Sequence, residues 1–410
     1  MEIRINMTNI RIEQNLKFKT ANIGCFLRFS LNKKNLALAN LLATMQANAS
    51  ESYPGISMQA KALEEKYDMR LGIFPEVFGN QIILFYNLNF VEPREILNPD
   101  YNYREIINTF FNIVKRPLFN PQLLYLAKEE LKSERAQYLD VPANYALHQF
   151  YKYWYRNQSG YADNIFGDAE VLNNCTIEQI KDFYQKLKST PAIFLGLVEN
   201  PDLMTDLVQE KLDWPGFFDT FSVNNLAIPT HFEPIDKTED GKNGQAQLLM
   251  GFGYDSELPL DFRQFGGLIL SQYLAGDESS KLFTSVREKL GAAYAIDAIN
   301  LLDNSLFLIS TGIDFNKLTQ TKSEITNSIL QLAKGEIDEE LFVKSKKALK
   351  RMYLSNEDQQ SSLLVQMLAN ALRDRDITIA ERIKKVTDFT PEKLIKFSQS
   401  LFLNESYCLK

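Results

Sequence analysis

Apolar and polar positions along the first half of the chain predict short strands that alternate with helices. Strand-like alternation at INMTNIRIEQ and FKTANIGCFLRFSL predicts two strands. NLALANLLATMQANAS then predicts a helix, ISMQAKALEEKYDMRL an amphipathic piece, and FGNQIILFYNLNFV a strand after a turn. The pattern is mostly helical from Tyr103 to about Lys188, with Thr176 as a helix cap, and AIFLGLV closes this half as a buried strand.

The chain changes character between Asp213 and Asn243, where proline, glycine and charged residues collect in WPGFFD, IPTHFEP and KTEDGKNG. This composition predicts a linker. After it, QAQLLMGFGYD reads as a strand, and FRQFGGLILSQYLA and SSKLFTSVREKL read as helices. AAYAIDAIN and SLFLISTGID follow as strands, and long helices complete the chain.

The order of elements in the second half repeats that of the first. Three pairs of residues share a separation of 214 positions: Thr176 with Thr390, Glu178 with Glu392, and Phe183 with Phe397. ALEEKYDMRL and FGNQIILF correspond at a similar offset to SVREKLGAAY and LDNSLFLI. The repeat predicts an α+β protein with two duplicated domains, each an antiparallel-rich sheet covered by helices. The predicted boundaries are 1–213, a linker at 214–243, and 244–410.

Composition narrows the function. The chain has 410 residues and a formal net charge of -7, which argues against nucleic-acid binding because phosphate recognition needs a basic face. No apolar run reaches the ~18 to 20 residues that would cross a bilayer, and the N-terminus has no apolar signal core. We therefore expect a cytoplasmic protein without a membrane partner. Its three scattered cysteines, Cys25, Cys175 and Cys408, are expected to be buried reduced thiols.

Candidate metal ligands and stacking residues are few. His148 and His231 are the two histidines of the chain, and neither has a second His or Cys at ligand spacing. A packed or surface role is the better interpretation of both. The aromatic run Phe150–Tyr155 could stack on a ligand, but on a helix it is more typical of a core or an interface. The chain contains no G-x-S-x-G elbow, P-loop or G-x-G-x-x-G fingerprint.

The most informative stretch is LAGDESSKLFTSVREKLGAAYAI at residues 274–296. Arg287 falls late in the predicted helix, Gly291 ends that helix, and Tyr294 lies in the next strand. A guanidinium and a phenol placed in this way could face one cleft and donate hydrogen bonds to a peptide carbonyl. The alternative is a surface arginine paired with Glu288 or Asp277 and a half-buried tyrosine.

This stretch resembles the second-domain segment SSRLFxxxREKxGLAY of the pitrilysin/insulinase family of zinc peptidases. The residues that match in order and spacing are Ser279, Ser280, Leu282, Phe283, Arg287, Glu288, Lys289, Gly291, Ala293 and Tyr294. The resemblance implies two similar domains in each chain and a clamshell that is formed by two such chains. It also implies that Arg287 and Tyr294 contact the substrate and the tetrahedral intermediate.

Peptidases of that family bind zinc through an H-x-x-E-H motif on a helix of the first domain. The helix before the SESYPG turn corresponds to the motif-bearing helix of those peptidases. Asn40, Ala43 and Thr44 stand at the positions of the motif's His, Glu and His. None of the three side chains can replace an imidazole ligand or a general base, and residues 1–147 contain no histidine. The family's third ligand aligns with Glu134, which is either a relic of the site or a solvated helix carboxylate.

The resemblance thus implies the metal-free subunit of a heterodimeric zinc peptidase. It would hold no cofactor of its own and would supply Arg287 and Tyr294 to a partner of similar size. That partner would carry H-x-x-E-H and Zn²⁺ and hydrolyse a peptide substrate. A homodimer remains an alternative assembly. A catalytically inert scaffold of the same fold, which binds a peptide or a partner, is the alternative function.

Overall fold

The computed structural model describes residues 9–163, 165–241, 244–289, 291 and 293–410. Its first half contains strands and helices in the predicted order. The strands are β1 (Ile10–Gln14), β2 (Thr20–Ser30), β3 (Arg70–Phe78), β4 (Gln81–Val91) and β5 (Ala192–Val198). The helices are α1 (Lys33–Asn48), α2 (Ile56–Glu64), α3 (Tyr103–Val114), α4 (Pro121–Asp140), α5 (Pro142–Trp154), α6 (Ala169–Asn174), α7 (Ile177–Leu187) and α8 (Pro201–Gln209).

The second half repeats this plan. Its strands are β6 (Ile235–Glu239), β7 (Ala246–Gly253), β8 (Ala293–Leu301), β9 (Leu306–Ile313) and β10 (Phe402–Leu409). Its helices are α9 (Leu260–Ala275), a π-helical segment at Phe283–Lys289, α10 (Leu318–Ala333), α11 (Glu339–Asn356), α12 (Gln360–Leu372), α13 (Ile379–Thr387) and α14 (Pro391–Gln399).

The two sheets have one topology. The strand order is β1-β5-β2-β4-β3 in the first sheet and β6-β10-β7-β9-β8 in the second, so each strand has a counterpart five places later. In both sheets the outer strand that comes first in sequence pairs in parallel and the remaining pairs are antiparallel. The predicted duplication and the α+β fold class are confirmed.

Helix caps confirm the sequence echo at residue level. The Thr176 side chain accepts a hydrogen bond from Gln179 N at the start of α7, and Gln179 completes the capping box by bonding back to Thr176 N. The Thr390 side chain accepts from Lys393 N in the same way at the start of α14. The repeated threonines therefore begin equivalent helices.

Three strands escaped prediction because their sequences do not alternate cleanly. The β3 sequence RLGIFPEVF contains glycine and proline, β6 is the short polar IDKTE, and β10 carries Asn404, Glu405 and Ser406 at its centre. The predicted linker therefore includes a strand, which is held by parallel pairing with β10. The predicted helix SSKLFTSVREKL is π-helical from Phe283 to Lys289.

The described chain groups into two compact units. Unit 1 comprises the chain up to Arg135, Asp163–Asn224 and Glu357–Asp376, and unit 2 comprises Ala136–Ala162, Asn225–Asn356 and Ile377–Lys410. Helix α5 of the first half thus belongs to unit 2, and helix α12 of the second half belongs to unit 1. The sequence-based domains 1–213, 214–243 and 244–410 remain a prediction about the repeat, and the spatial grouping divides the chain differently.

Burial decides the interpretation of the aromatic run of α5 and of the three cysteines. The aromatic run of α5 lies in the core of unit 2, where Phe150 is fully buried and stacks on Trp154 with ring centroids 5.6 Å apart. Cys25, Cys175 and Cys408 are buried free thiols, as expected. No helix in the part of the chain that the structure describes is long and apolar enough to cross a membrane.

Candidate functional site

Helix α1 carries the three positions that correspond to the zinc motif. The Asn32 side chain begins the helix by accepting a hydrogen bond from Asn35 N. Most of the residues from Leu36 to Gln46 are buried, so the helix lies deep in unit 1. A polar side chain on such a helix needs a hydrogen-bond partner.

Asn40 finds its partners in a segment more than a hundred residues away. Its Nδ2 atom donates to the carbonyl oxygens of Ile165 at 2.9 Å and Phe166 at 3.3 Å, and to that of Leu36 at 3.1 Å. The amide group is therefore committed to fixing this segment on α1. An imidazole at this position would have to give up those contacts to face a metal.

The segment that Asn40 holds is fastened by further contacts. The Asp163 carboxylate accepts from Phe166 N and Gly167 N at 3.2 and 3.1 Å, and it pairs with Arg135 at 3.3 Å. Gly167 has φ +78°, and a Cβ atom there would lie 2.4 Å from the backbone N of Ala37. Glycine is therefore required for the segment to approach α1 this closely.

The other two motif positions offer no ligand. Ala43 is buried and presents only a methyl group, while Thr44 is half-buried. The carbonyl of Thr44 accepts from Asn48 Nδ2 at 3.0 Å, and the same amide contacts Glu130 Oε2 on α4 at 3.3 Å. The Asn48–Glu130 contact joins α1 to α4. Asn48 lies one helical turn after Thr44, and Glu130 lies one turn before Glu134.

Glu134 lies on the exposed side of α4. Partial burial, with the like charge of Glu130 one turn earlier, raises its pKa. Within the described ranges, no three His, Cys, Asp or Glu side chains come close enough to hold a metal ion. Neutral amide, methyl and hydroxyl groups do not suit zinc, so the residues at this site do not fit the metal of the resembled family.

Arg287 occupies a different setting in unit 2. It is exposed within the π-helical segment, and its guanidinium carbon lies 4.5 Å from the centre of the Phe283 ring. This stacking orients a planar group that keeps five N–H donors. π-helical turns are rare and occur frequently at functional sites.

Asp277, one of the carboxylates considered as a partner for Arg287, is engaged elsewhere. It accepts a hydrogen bond from the Ser279 hydroxyl at 2.7 Å and pairs with Lys344 at 3.0 Å. The Ser279 hydrogen bonds and the Lys344 charge together lower the pKa of Asp277. Asp277 therefore has its own partners within the same unit.

For Tyr294 the structure describes the backbone position. It belongs to β8, which begins after Gly291 adopts a left-handed φ of +54° and accepts a hydrogen bond from Lys317 Nζ at 2.9 Å. The Tyr294 side chain lies outside what the structure describes, so a cleft shared with Arg287 remains a prediction. The two histidines both belong to unit 2: His148 is half-buried on α5 and His231 is exposed before β6.

The segment fastened to α1 was missed by sequence reasoning. Its partners Asn40 and Ile165 are 125 positions apart, and no local pattern connects them. One signal was available, because an asparagine within the apolar stretch LALANLLATM must find a hydrogen-bond partner when the helix is buried. That signal identifies Asn40 as structural without identifying what it binds.

Part of the sequence matches a known protein family. Residues 174–349 match the family model described as Peptidase M16 inactive domain. The probable inactive metalloprotease YmfF of Bacillus subtilis strain 168 is 22% identical over 414 residues, covering 96% of this chain and 93% of the relative. Over residues 174–349 the chain is thus similar to M16 inactive domains. The resemblance to the pitrilysin/insulinase peptidases is thereby confirmed.

Solved structures share the fold of this chain. A conserved protein from Enterococcus faecalis V583 superimposes with a TM-score of 0.87 at 20% identity, covering 98% of this chain and 96% of that one. An M16 inactive-domain structure from Pseudomonas fluorescens gives 0.79 at 13% identity, covering 98% and 94%. At these identities the structures establish the M16-like architecture of two sheets covered by helices.

Proposed function

We propose that this chain is the metal-free subunit of a two-chain zinc peptidase, in which it binds the substrate peptide and a partner performs the hydrolysis. The observation that carries the proposal is the commitment of Asn40 to the carbonyls of Ile165 and Phe166. Because Asn40 hydrogen-bonds to the chain's own backbone, this position provides no ligand for a metal ion. Its contribution to peptide hydrolysis would come from other residues.

Arg287 is the residue that we assign to the substrate. Its guanidinium is exposed and is oriented by the Phe283 ring beneath it, so it can donate to a peptide carbonyl as negative charge develops on the oxygen. Tyr294 would add a phenolic donor from the following strand. Both assignments follow from the match of residues 279–294 to the family segment.

The partner in this proposal is an M16 chain of similar size that carries H-x-x-E-H and Zn²⁺. YmfF, a relative that covers nearly the whole of this chain, is named a probable inactive metalloprotease, which agrees with a metal-free role. The residues of α1 do not fit zinc, so no catalytic step is assigned to a metal in this chain. The proposal places the complex in the cytoplasm.

A second candidate function is an inert scaffold that binds a peptide or a partner. The observation that favours it is the stacking of Arg287 on Phe283, because a guanidinium with this contact already has a structural role. The two candidates differ in whether the chain changes the rate at which a partner cleaves peptides.

Reconstitution tests the proposal. This chain and an H-x-x-E-H chain from the same genome are purified separately and mixed, and cleavage of a fluorogenic peptide library is measured for each chain and for the mixture. We expect chelator-sensitive cleavage by the mixture well above that of either chain, and none when the partner's motif Glu is changed to Gln. A partner that cleaves equally well alone would contradict the proposal and favour the scaffold. Light scattering of this chain alone shows whether it forms a homodimer.

A further inference from the structure

Unit 2 contains a cavity that the proposed function does not use. It has a volume of about 490 Å³ and lies between α10 and the end of the sheet formed by β6, β10 and β7. This volume falls within the range of about 300–1,000 Å³ that is typical of ligand pockets. The residues that matter to its chemistry are Asp236, Met250, Lys322, Leu403, Asn404 and Ser406.

One row of the sheet forms the floor. Ser406 on β10 pairs with Met250 on β7 and with Asp236 on β6, so the three side chains lie side by side across the strands. Met250 is 1% exposed and gives this row an apolar end. Leu403 adds a second apolar wall. The floor therefore runs from apolar to charged across three strands.

Ser406 has an unusual hydroxyl group. The residue is 4% exposed, it lines the cavity, and no described residue offers its Oγ atom a hydrogen bond. A buried hydroxyl without a partner costs about 1–3 kcal/mol, which a ligand that bonds to it would recover. The orphaned hydroxyl is thus an independent indication of a binding site.

A bulge in β10 brings a second polar group to the cavity. The register with β7 shifts between Leu403 and Glu405, which leaves Asn404 as the extra residue. Asn404 Oδ1 accepts from Glu233 N at 2.7 Å, so the side chain is oriented and its NH₂ group is the remaining donor. Ser406 and Asn404 together offer hydrogen bonds to a carbonyl or carboxylate.

Two opposite charges stand at the β6 side. Lys322 Nζ of α10 lies 2.6 Å from Asp236 Oδ1, and the lysine side chain is only 18% exposed while the aspartate is 68% exposed. Burial raises the pKa of the Cys408 thiol on β10, the Lys322 charge opposes this rise, and the Asp236 charge adds to it. A ligand with both a carboxylate and an ammonium group could pair with both residues.

We propose that this cavity binds short peptides that have apolar side chains and free termini. The carboxylate of the peptide contacts Lys322 and the Ser406 hydroxyl, its ammonium group contacts Asp236, and an apolar side chain packs on Met250 and Leu403. Asn404 donates to a peptide carbonyl. The site is independent of Arg287 and of any metal-bearing partner.

Calorimetric titration of the full chain with leucyl-leucine tests this site. We expect a Kd of about 10–500 µM, with weaker binding of the N-acetylated and C-amidated forms. Ser406→Ala and Lys322→Gln should each weaken binding about 10- to 150-fold, as expected for the loss of a hydrogen bond to a charged group. Circular dichroism and the melting temperature check that each variant is folded.

Ser328→Ala is the matched control. Ser328 lies on α10, is 2% exposed, and has an Oγ atom without a partner among the described residues, but it does not line the cavity. This variant should bind leucyl-leucine like the parent protein. Equal loss of affinity in the Ser328 and Ser406 variants, equal binding of the blocked peptides, or no heat at about 2 mM peptide would each overturn the proposal.

Discussion

Helices α1 and α9 have the same length and the same place after the second strand of their sheets, and they use one position in opposite ways. The eighth residue is Asn40 in α1 and Gly267 in α9. Asn40 reaches out of its helix to the carbonyls of Ile165 and Phe166. Gly267 instead leaves room for the Asn300 side chain of β8, which donates to Arg263 O at 3.1 Å.

In both units, therefore, an asparagine amide fastens the helix at this point, although it belongs to the helix in one and to a strand in the other. Asn300 also accepts a hydrogen bond from the Tyr254 hydroxyl at 2.9 Å, so its amide is fixed at both ends. The comparison teaches that the zinc-motif position of α1 has become a packing position. In the proposed function the exposed donor assigned to a substrate is Arg287, beyond α9.

Changing Arg287 should have the largest effect, which is on the rate of peptide cleavage. It tests whether Arg287 contacts the substrate, in contrast to the packing role of Asn40. In the reconstituted pair, Arg287→Ala should lower kcat about 10- to 1000-fold, the scale of losing a donor to a developing oxyanion. Tyr294→Phe should act in the same direction. Peptidase rates of the mixture measure this, and Glu278→Ala is the control because Glu278 is exposed and precedes the matched segment 279–294. An unchanged kcat would leave both residues structural.

Gly267→Ala tests the α9 side of the comparison. The added Cβ atom would lie 2.1 Å from Asn300 Nδ2, so the Asn300 side chain must leave its place or the helix must shift. We expect the free energy of unfolding to fall by about 2–3 kcal/mol, as for overpacking in a core. Urea unfolding measures the loss. Gly160→Ala, where nothing lies within 4 Å of the new atom, should change stability by less than about 1 kcal/mol. Similar losses in both variants would break the argument.

Asn40→Ala tests the α1 side. Removing the amide leaves the carbonyls of Ile165 and Phe166 without this donor, which should cost about 1–2 kcal/mol of unfolding free energy. Thr44→Ala on the same helix is the control, because no described side-chain hydrogen bond of Thr44 is lost, and it should cost about 0.5 kcal/mol or less. If Asn40→Ala were as mild as Thr44→Ala, the position would not be a packing position.

The sheets also differ at one matched strand position. Phe194 of β5 pairs with the first residue of β1, and Glu405 of β10 pairs with the first residue of β6. Both side chains are fully buried. Among the described residues neither oxygen of Glu405 has a hydrogen-bond partner, and burial raises its pKa to about 9, against an opposing effect of Arg156. Unit 2 therefore holds a protonated carboxyl where unit 1 holds an aromatic ring.

This difference predicts a modest pH effect. The native state keeps a proton on Glu405 that the unfolded state releases above its ordinary pKa, so stability falls as pH rises towards 9. Between pH 6 and 8 the parent protein should lose about 2–3 kcal/mol relative to Glu405→Gln, and below about pH 4 the gap should no longer change with pH. Urea unfolding at each pH measures the gap. The exposed Glu257→Gln control should track the parent, and a gap that is constant with pH would contradict the assignment.

The sequence predicted the duplication because its signals are local. Thr176 and Thr390 begin equivalent helices, and each capping contact spans three residues. Strands β6 and β10 could not be predicted, since polar residues are held there by pairing with strands far along the chain. The deficit at Asn40, Ala43 and Thr44 was readable from residue types. What replaced the site depends on contacts over more than a hundred positions, which no local pattern encodes.

Zinc content of the purified chain shows whether helix α1 can hold a metal ion. The protein is loaded with excess zinc, desalted and measured by elemental analysis, while cleavage of a fluorogenic peptide library is followed in parallel. We expect far less than one zinc per chain and no chelator-sensitive cleavage by the chain alone, because Asn40, Ala43 and Thr44 offer no ligand set. One tightly held zinc per chain, with cleavage that a chelator abolishes, would contradict this expectation.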